Sequence, residues 1–278
     1  MRAALLQSRT GTDPLLGARV VVEAIGRAAG EGADMLFTPE MSNLLDRDRA
    51  RAAAAIVAED ADVTLGAARE AAAKHGLWVH LGSLALRSEG GAAAPYVNRG
   101  FVIDADGAIR ARYDKIHLFD VTVSSGESWR ESASYVPGRR VVAVDTPWAR
   151  LGLAVCYDVR FPDLFRALSD AGATLLALPA AFTVPTGQAH WHVLLRARAI
   201  EAAAFVVAAA QGGQHADGRA TYGHSLAVDP WGEVLLDMGE GSGVGFVHLD
   251  MLRVDAVRAR LPVLAHRRAL PPVEVMDA

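Results

Sequence analysis

The chain alternates short apolar runs with segments whose apolar positions recur at helical spacing, and the alternation begins at the N-terminus. Residues 3–7 form a run of the length and character of a buried strand. Residues 14–29 follow with Leu15, Leu16, Val20, Val22, Ala24 and Ile25 at approximately helical spacing. Asp13 is placed to cap that helix, Pro14 takes its first position, and Gly30 to Gly32 end it. Residues 33–37 read as a second strand. A β-α-β succession of this kind calls for a parallel sheet and a right-handed crossover. Residues 47–58 and 62–75 are rich in Ala, Arg and Glu, which favour helix, and residues 77–81 predict a third strand.

From Val97 the pattern changes. Residues 97–103 and 109–113, joined by Asp104-Ala-Asp-Gly107, predict an antiparallel hairpin in which Gly107 supplies a positive φ. Residues 119–138 have few periodic apolar positions and read as a long loop, a kind of segment that is usually functional or disordered. Strands are then expected at 141–144, 151–155, 173–178, 205–210 and 244–249. Helices are expected at 162–171, 187–203 and 251–261, with a second hairpin at 226–236 about Pro230-Trp-Gly232. Strand, helix and hairpin thus recur in both halves. Two mixed sheets packed face to face with helices outside accommodate all of them, an α/β fold of the α-β-β-α sandwich type. The expectation is a single domain over residues 1–278, with its core at about 1–261 and a tail at 262–278.

Composition narrows the classes. The chain has 278 residues, 51% of them apolar and 22% charged, which fits a globular domain with a large core. A net charge of −4 gives no reason to expect nucleic acid, and the run His266-Arg-Arg268 is too brief for a phosphate track. A single cysteine excludes an internal disulfide. Residues 1–7 lack a signal-peptide core, and no apolar run approaches the ~20 residues that span a bilayer. The expectation is a soluble, cytoplasmic protein that acts on a small molecule, without nucleic acid or membrane as partner.

Three residues of complementary chemistry come directly after strands: Glu40, Lys115 and Cys156. A free thiol, with a pKa of ~8.5, is only slightly ionised at neutral pH. It becomes a nucleophile if a carboxylate such as Glu40 takes its proton. A cation such as Lys115 would stabilise the thiolate and the oxyanion of a tetrahedral intermediate. Glu40 would then protonate a leaving nitrogen and activate a water. Read singly, each residue also has a plain structural place. Cys156 fits a small core position, Glu40 a helix start after Pro39, and Lys115 a solvated loop.

The surrounding stretches settle on one pattern. Phe37-Thr-Pro-Glu-Met41, Arg112-Tyr-Asp-Lys-Ile-His-Leu-Phe119 and Ala154-Val-Cys-Tyr-Asp-Val-Arg-Phe-Pro162 resemble, in order and separation, the signature blocks of the nitrilase superfamily of carbon–nitrogen hydrolases. The resemblance continues through residues 179–201, Tyr222-Gly-His-Ser225 and Asp229-Pro-Trp-Gly232. It implies an α-β-β-α fold and a Glu-Lys-Cys triad at Glu40, Lys115 and Cys156. It further implies a covalent thioester hydrolysed by water, no metal or organic cofactor, and the backbone N–H of Tyr157 in the oxyanion hole. A second glutamate of the family falls on Glu131, in preference to Glu127, ahead of Pro137-Gly138. There it would orient the lysine and contact substrate, unless it is a solvated loop acid.

Substrate class rests on the residues around the thiol. Arg160, four residues on, has the planar fork that suits a carboxylate, or else it pairs with Asp158 or Asp163. Phe182 and Thr186 offer an aromatic wall and a hydroxyl. With residues 195–201, 209–211 and 261–268, this block is similar to the branch that hydrolyses deaminated glutathione to α-ketoglutarate and cysteinylglycine. The ω-amidase branch, acting on α-ketoglutaramate, ranks second and nitriles lower. A catalytically silent binding or assembly module of the same fold is the alternative from another class, and the intact triad speaks against it. The resemblance also implies a homodimer or larger assembly, with the helix at 187–203 as a candidate interface. The glycine-rich residues 239–245 read as a mobile turn. His190 and His192 point to different faces of a helix and make a poor metal pair, and His224 is left either near the site or capping a strand.

Overall fold

Along β1 (Arg2–Gln7), Ala3 and Leu5 enter one apolar cluster while Ala4 and Leu6 enter another. This is the alternation of a strand buried on both faces. The computed structural model describes residues 1–90, 94–122 and 128–276. After β1 come α1 (Pro14–Gly30), β2 (Met35–Phe37), α2 (Arg49–Ala55), α3 (Val63–His75), β3 (Trp78–Arg87), β4 (Tyr96–Ile103) and β5 (Ile109–Asp114). The chain continues through β6 (Asp120–Thr122), β7 (Ser128–Arg130), β8 (Ala143–Asp145), β9 (Arg150–Leu153), α4 (Pro162–Asp170), β10 (Leu175–Ala177) and α5 (Val184–Ala202). It ends with β11 (Phe205–Ala208), β12 (Gly212–Gln214), β13 (Ala220–Tyr222), β14 (Leu226–Val228), β15 (Val234–Asp237), β16 (Gly243–His248) and α6 (Leu252–Arg260).

Two six-stranded sheets result, ordered β16-β1-β2-β3-β4-β5 and β15-β14-β11-β10-β9-β8. In each, a parallel centre (β1-β2-β3 and β9-β10-β11) is flanked by antiparallel strands. Ala3, Leu5, Met35 and Phe37 of the first sheet share one core with Leu151, Leu153, Leu175 and Phe205 of the second. The outer face of the first sheet is covered by Val21, Ile25, Leu65 and Ala68 of α1 and α3. Trp191, Leu195 and Ala199 of α5 pack with the second sheet. The expected α-β-β-α sandwich is therefore the fold. No helix among the described residues is long and apolar enough to cross a membrane.

Several boundaries differ from the sequence reading, each for a local reason. β3 runs to Arg87 because β4 pairs with it antiparallel from Val79 to Arg87, well past the three residues that β2 pairs on its other edge. α2 covers only residues 49–55, with Asp48 accepting from the N–H groups of Ala50 and Arg51. α5 starts at Val184, ahead of Gly187, because Pro185 is tolerated in a first turn whose N–H groups have no helical acceptor. The long loop contains the ribbon β6-β7 and a 3-10 turn, Glu131–Ala133. Ser124-Ser-Gly126 and Glu127 lie outside the described residues. The glycine-rich turn is pinned rather than loose: Gln7 Nε2 donates to the carbonyls of Gly239 (2.8 Å) and Gly241 (2.6 Å).

Candidate active site

Glu40, Lys115 and Cys156 lie just past strands β2, β5 and β9. Open α/β sheets place ligands at the carboxyl ends of such strands. Met41, after Glu40, and Cys156 itself take positive φ values of 57° and 50°. Non-glycine residues in that region cost of order 1–3 kcal/mol and persist only where their surroundings hold them. For Cys156 the holding group is Asp158, which is fully buried. Its carboxylate accepts from Val155 N–H (2.9 Å), Tyr113 O–H (2.7 Å) and His117 N–H (3.0 Å), tying the thiol's turn to the segment that carries Lys115. Cys156 N–H also donates to Pro179 C=O at 2.9 Å. Tyr157 is the second residue of a 3-10 turn, Cys156–Arg160, where an N–H has no intrahelical acceptor.

These connections bring the charged groups together. Lys115 Nζ donates to Glu40 Oε1 at 2.9 Å and to Glu131 at 2.8 and 3.1 Å. Asn98 Nδ2 donates to Glu40 at 2.9 Å and to Glu131 at 3.2 Å. The second oxygen of Glu40 accepts from Ala181 N–H (2.9 Å), and Glu131 accepts from Phe119 N–H (2.7 Å). The Cys156 thiol lies close enough to Glu40 for the two groups to interact electrostatically. Lys115, Glu40 and Cys156 are 2%, 4% and 7% exposed, so water screens these interactions little.

Burial is the largest influence on each group, and the partners decide the outcome. For Glu40 burial works upward, but the charge of Lys115 and the interactions with Cys156, Lys115 and Asn98 outweigh it and hold the carboxyl below its ordinary value. For Lys115 burial works downward, and the two carboxylates reverse it, holding the ammonium well above its usual range. The Cys156 thiol is pushed well up by burial and by Glu40, against the opposing pull of Lys115. The resting arrangement is thus a neutral thiol facing a carboxylate, beside an ammonium held by two acceptors. Such a site can move a proton from sulfur to Glu40 as the sulfur attacks.

The groups open onto a cavity of about 320 Å³. Glu40, Lys115, Glu131, Cys156, Tyr157, Phe182 and Thr186 all line it. Arg160 does not. Its guanidinium lies 5.9 Å from the ring centre of Tyr157 and 5.5 Å from that of Phe182, behind two lining rings, and 3.3 Å from His190 Nδ1. Neither Asp158 nor Asp163 pairs with it among the described residues. Sequence reasoning passed over Asn98, Arg47 and Arg219, gave Trp129 no role, and named Asp158 only as a possible partner of Arg160. Asn98 carried a signal, an amide inside the apolar run 97–103, whereas Arg47 and Arg219 had none. His224 is drawn away to Asp237 (2.9 Å), which also bonds His192 (3.0 Å), and none of these three lines the cavity.

Comparison with known proteins gives a consistent result. A family model described as carbon-nitrogen hydrolase matches residues 2–259. The nitrilase and fragile histidine triad fusion protein NitFhit of Caenorhabditis elegans is 42% identical over 246 residues. That match covers 88% of this chain and 56% of NitFhit, so the chain spans little more than half of that relative. The deaminated glutathione amidase of Rattus norvegicus is 39% identical over 252 residues, 90% of this chain and 77% of that protein. The crystal structure of NitFhit has a TM-score of 0.88 at 39% identity, covering 96% of this chain and 65% of that one. An amidase from Nesterenkonia sp. AN1, in a form showing Michael addition of acrylamide at its active-site cysteine, has a TM-score of 0.77 at 28% identity. It is covered over 98% of its chain by 94% of this one.

Proposed function

The chain belongs to the carbon–nitrogen hydrolase family, the nitrilase superfamily, and we propose that it is an amidase with Cys156 as nucleophile. One observation carries the reading: a buried thiol beside a carboxylate that shares its ammonium partner with a second carboxylate. In the proposed reaction Glu40 accepts the thiol proton as Sγ attacks the amide carbonyl carbon. The oxyanion forms against Lys115 and the N–H of Tyr157. Glu40 passes its proton to the leaving nitrogen, the C–N bond breaks, and a thioester remains. Water enters, Glu40 removes its proton, and the resulting attack breaks the C–S bond and returns a proton to sulfur. Glu131 keeps Lys115 charged and aimed throughout.

For the substrate we propose a small amide bearing carboxylates, deaminated glutathione foremost. The named amidases among the relatives support this, as does a cavity at the small end of the usual ligand range. Phe182 and Thr186 line the cavity, and Arg160, which does not, packs against the rings of Tyr157 and Phe182. A homo-oligomer is part of the proposal, because α5 leaves Val193 and Ile200 exposed at 68% and 45%, and gel filtration tests it. The test of the chemistry is intact-mass measurement with a slowly turned-over amide. An acyl adduct is expected on the wild type and none on Cys156→Ala. Absence of both adduct and turnover on any small ω-amide would overturn the assignment. A preference in kcat/KM for α-ketoglutaramate over deaminated glutathione would move the substrate to the other branch.

A further inference from the structure

The cavity wall changes character along one stretch of backbone. Glu40, Met41, Leu44, Leu45, Asp46 and Arg47 all line it, so residues 40–47 lead from the carboxylate to a guanidinium across an apolar step. Asp46 is already neutralised by Arg51, at 2.5 Å and 2.7 Å. At the far end the Cζ of Arg47 lies 4.7 Å from the ring centre of Trp129, and that of Arg219 lies 4.9 Å from the same ring. Both arginines and the tryptophan line the cavity. Arg219 is fixed in place: its Nε donates to Asp217 Oδ2 at 2.7 Å, and the Asp217 carboxylate is fully buried. The terminal nitrogens of that guanidinium make no hydrogen bond among the described residues. Trp129 Nε1–H is buried and, among the described residues, has no acceptor. Buried donors are normally paired, so an unpartnered N–H on an indole ring that two guanidinium groups approach calls for a specific reason.

Charge supplies one. At the reacting end two carboxylates face one ammonium, which leaves a net negative charge while the thiol is neutral. An anionic substrate is repelled there and needs cations elsewhere to bind. During the proposed reaction the leaving nitrogen must lie beside Glu40, so the leaving half of the substrate runs along the wall that begins at Glu40. We infer that Arg47, Arg219 and Trp129 form a carboxylate subsite for the leaving half, selecting amides whose amine ends in a carboxylate, as a peptide does. Met41, Leu44 and Leu45 would flank whatever lies between the scissile nitrogen and that carboxylate. Burial lowers the Arg219 pKa, with Arg47 adding repulsion, and a bound carboxylate offsets both. A planar fork pairs a carboxylate through two parallel bonds, which lysine cannot do.

This inference rests on the amidase reading, and three substrates separate the two. They are α-ketoglutaramate, deaminated glutathione, and deaminated glutathione with its terminal carboxylate converted to a primary amide. Release of α-ketoglutarate is measured for each. The wild type is expected to prefer the free acid over its amide by about tenfold or more in kcat/KM, the difference lying in KM. Arg47→Gln and Arg219→Gln should each bring that ratio close to unity. Arg47 is exposed, so its variant is a test that folding does not compromise. A wild-type ratio near unity, or variants that keep the wild-type ratio, would overturn the subsite. Turnover of α-ketoglutaramate with neither longer substrate would do the same and leave the amidase reading standing. No turnover of any of the three would remove both.

Discussion

Replacing Glu131 by glutamine keeps the side chain's shape and removes its charge. The structure allows the consequence to be worked out. Oε1 accepts from Lys115 Nζ at 3.1 Å and Asn98 Nδ2 at 3.2 Å, while Oε2 accepts from Lys115 Nζ at 2.8 Å and Phe119 N–H at 2.7 Å. Both oxygens are therefore met only by donors. An amide has one oxygen, so in either orientation of Glu131→Gln its NH2 group is directed at two donors. A hydrogen bond to a charged group contributes ~1.5–3 kcal/mol, so two lost bonds amount to roughly 3–6 kcal/mol before relaxation. Lys115 retains Glu40 as a partner, so about half of that should be recovered. With roughly 1.5–3 kcal/mol lost where Lys115 meets the oxyanion, kcat/KM should fall about 10- to 10²-fold, chiefly through kcat. Glu131→Asp keeps the charge and should recover part of the loss. Steady-state kinetics, with thermal melts to confirm folding, make the measurement. A folded Glu131→Gln variant within ~3-fold of wild type would show that Lys115 needs only Glu40, and the reasoning would fail.

Three further outcomes follow from the same contacts. The pH profile of kcat/KM should be level through neutrality, with an acid limb below the ordinary carboxylate value of 4.5, because Glu40 is held ionised. A rise in activity centred near the thiol's ordinary 9.0 would instead indicate a free thiolate nucleophile, contrary to the raised Cys156 value. His80 is buried, and burial pushes its pKa from 6.5 down to about 3, so the unfolded chain binds the proton more readily across that interval. Stability should therefore fall as pH drops below 6.5, with His80 accounting for about 2 kcal/mol between pH 7 and 5. Denaturant melts of His80→Gln should lack that component, and an identical pH slope in the variant would refute it. Gly187→Ala would normally favour a helix, but its Cβ would sit 2.2 Å from Tyr222 Cγ. The clash should prevail at a cost of ~1–3 kcal/mol in melts. It should also lower kcat/KM, since Thr183 and Thr186 of the same turn line the cavity. A variant as stable as wild type would mean that Tyr222 yields freely.

The alternation of strands and helices was legible because it is written locally. Periods of 2 and 3.6 decide which face each element buries, and Asp13, Asp62 and Gly107 act as caps and turn within a few residues. Glu40, Lys115 and Cys156 were legible as a set because each follows a strand inside a recognisable block. Where those signals compete the reading slipped. Pro185 opens a helix instead of ending a loop, and β3 outruns its apolar core because β4 keeps pairing with it after β2 has ended. Convergence was the part no local pattern could give. Lys115 lies 75 positions from Glu40, and the N–H that holds the other Glu40 oxygen lies 141 positions away. Asn98 was visible as an odd amide in a strand, but not as the donor that joins Glu40 to Glu131. Arg47 and Arg219 looked like any surface arginine until the fold set both on one indole ring. A charge's role depends on what surrounds it within a few ångströms, and across such separations only the packing of the two sheets decides that.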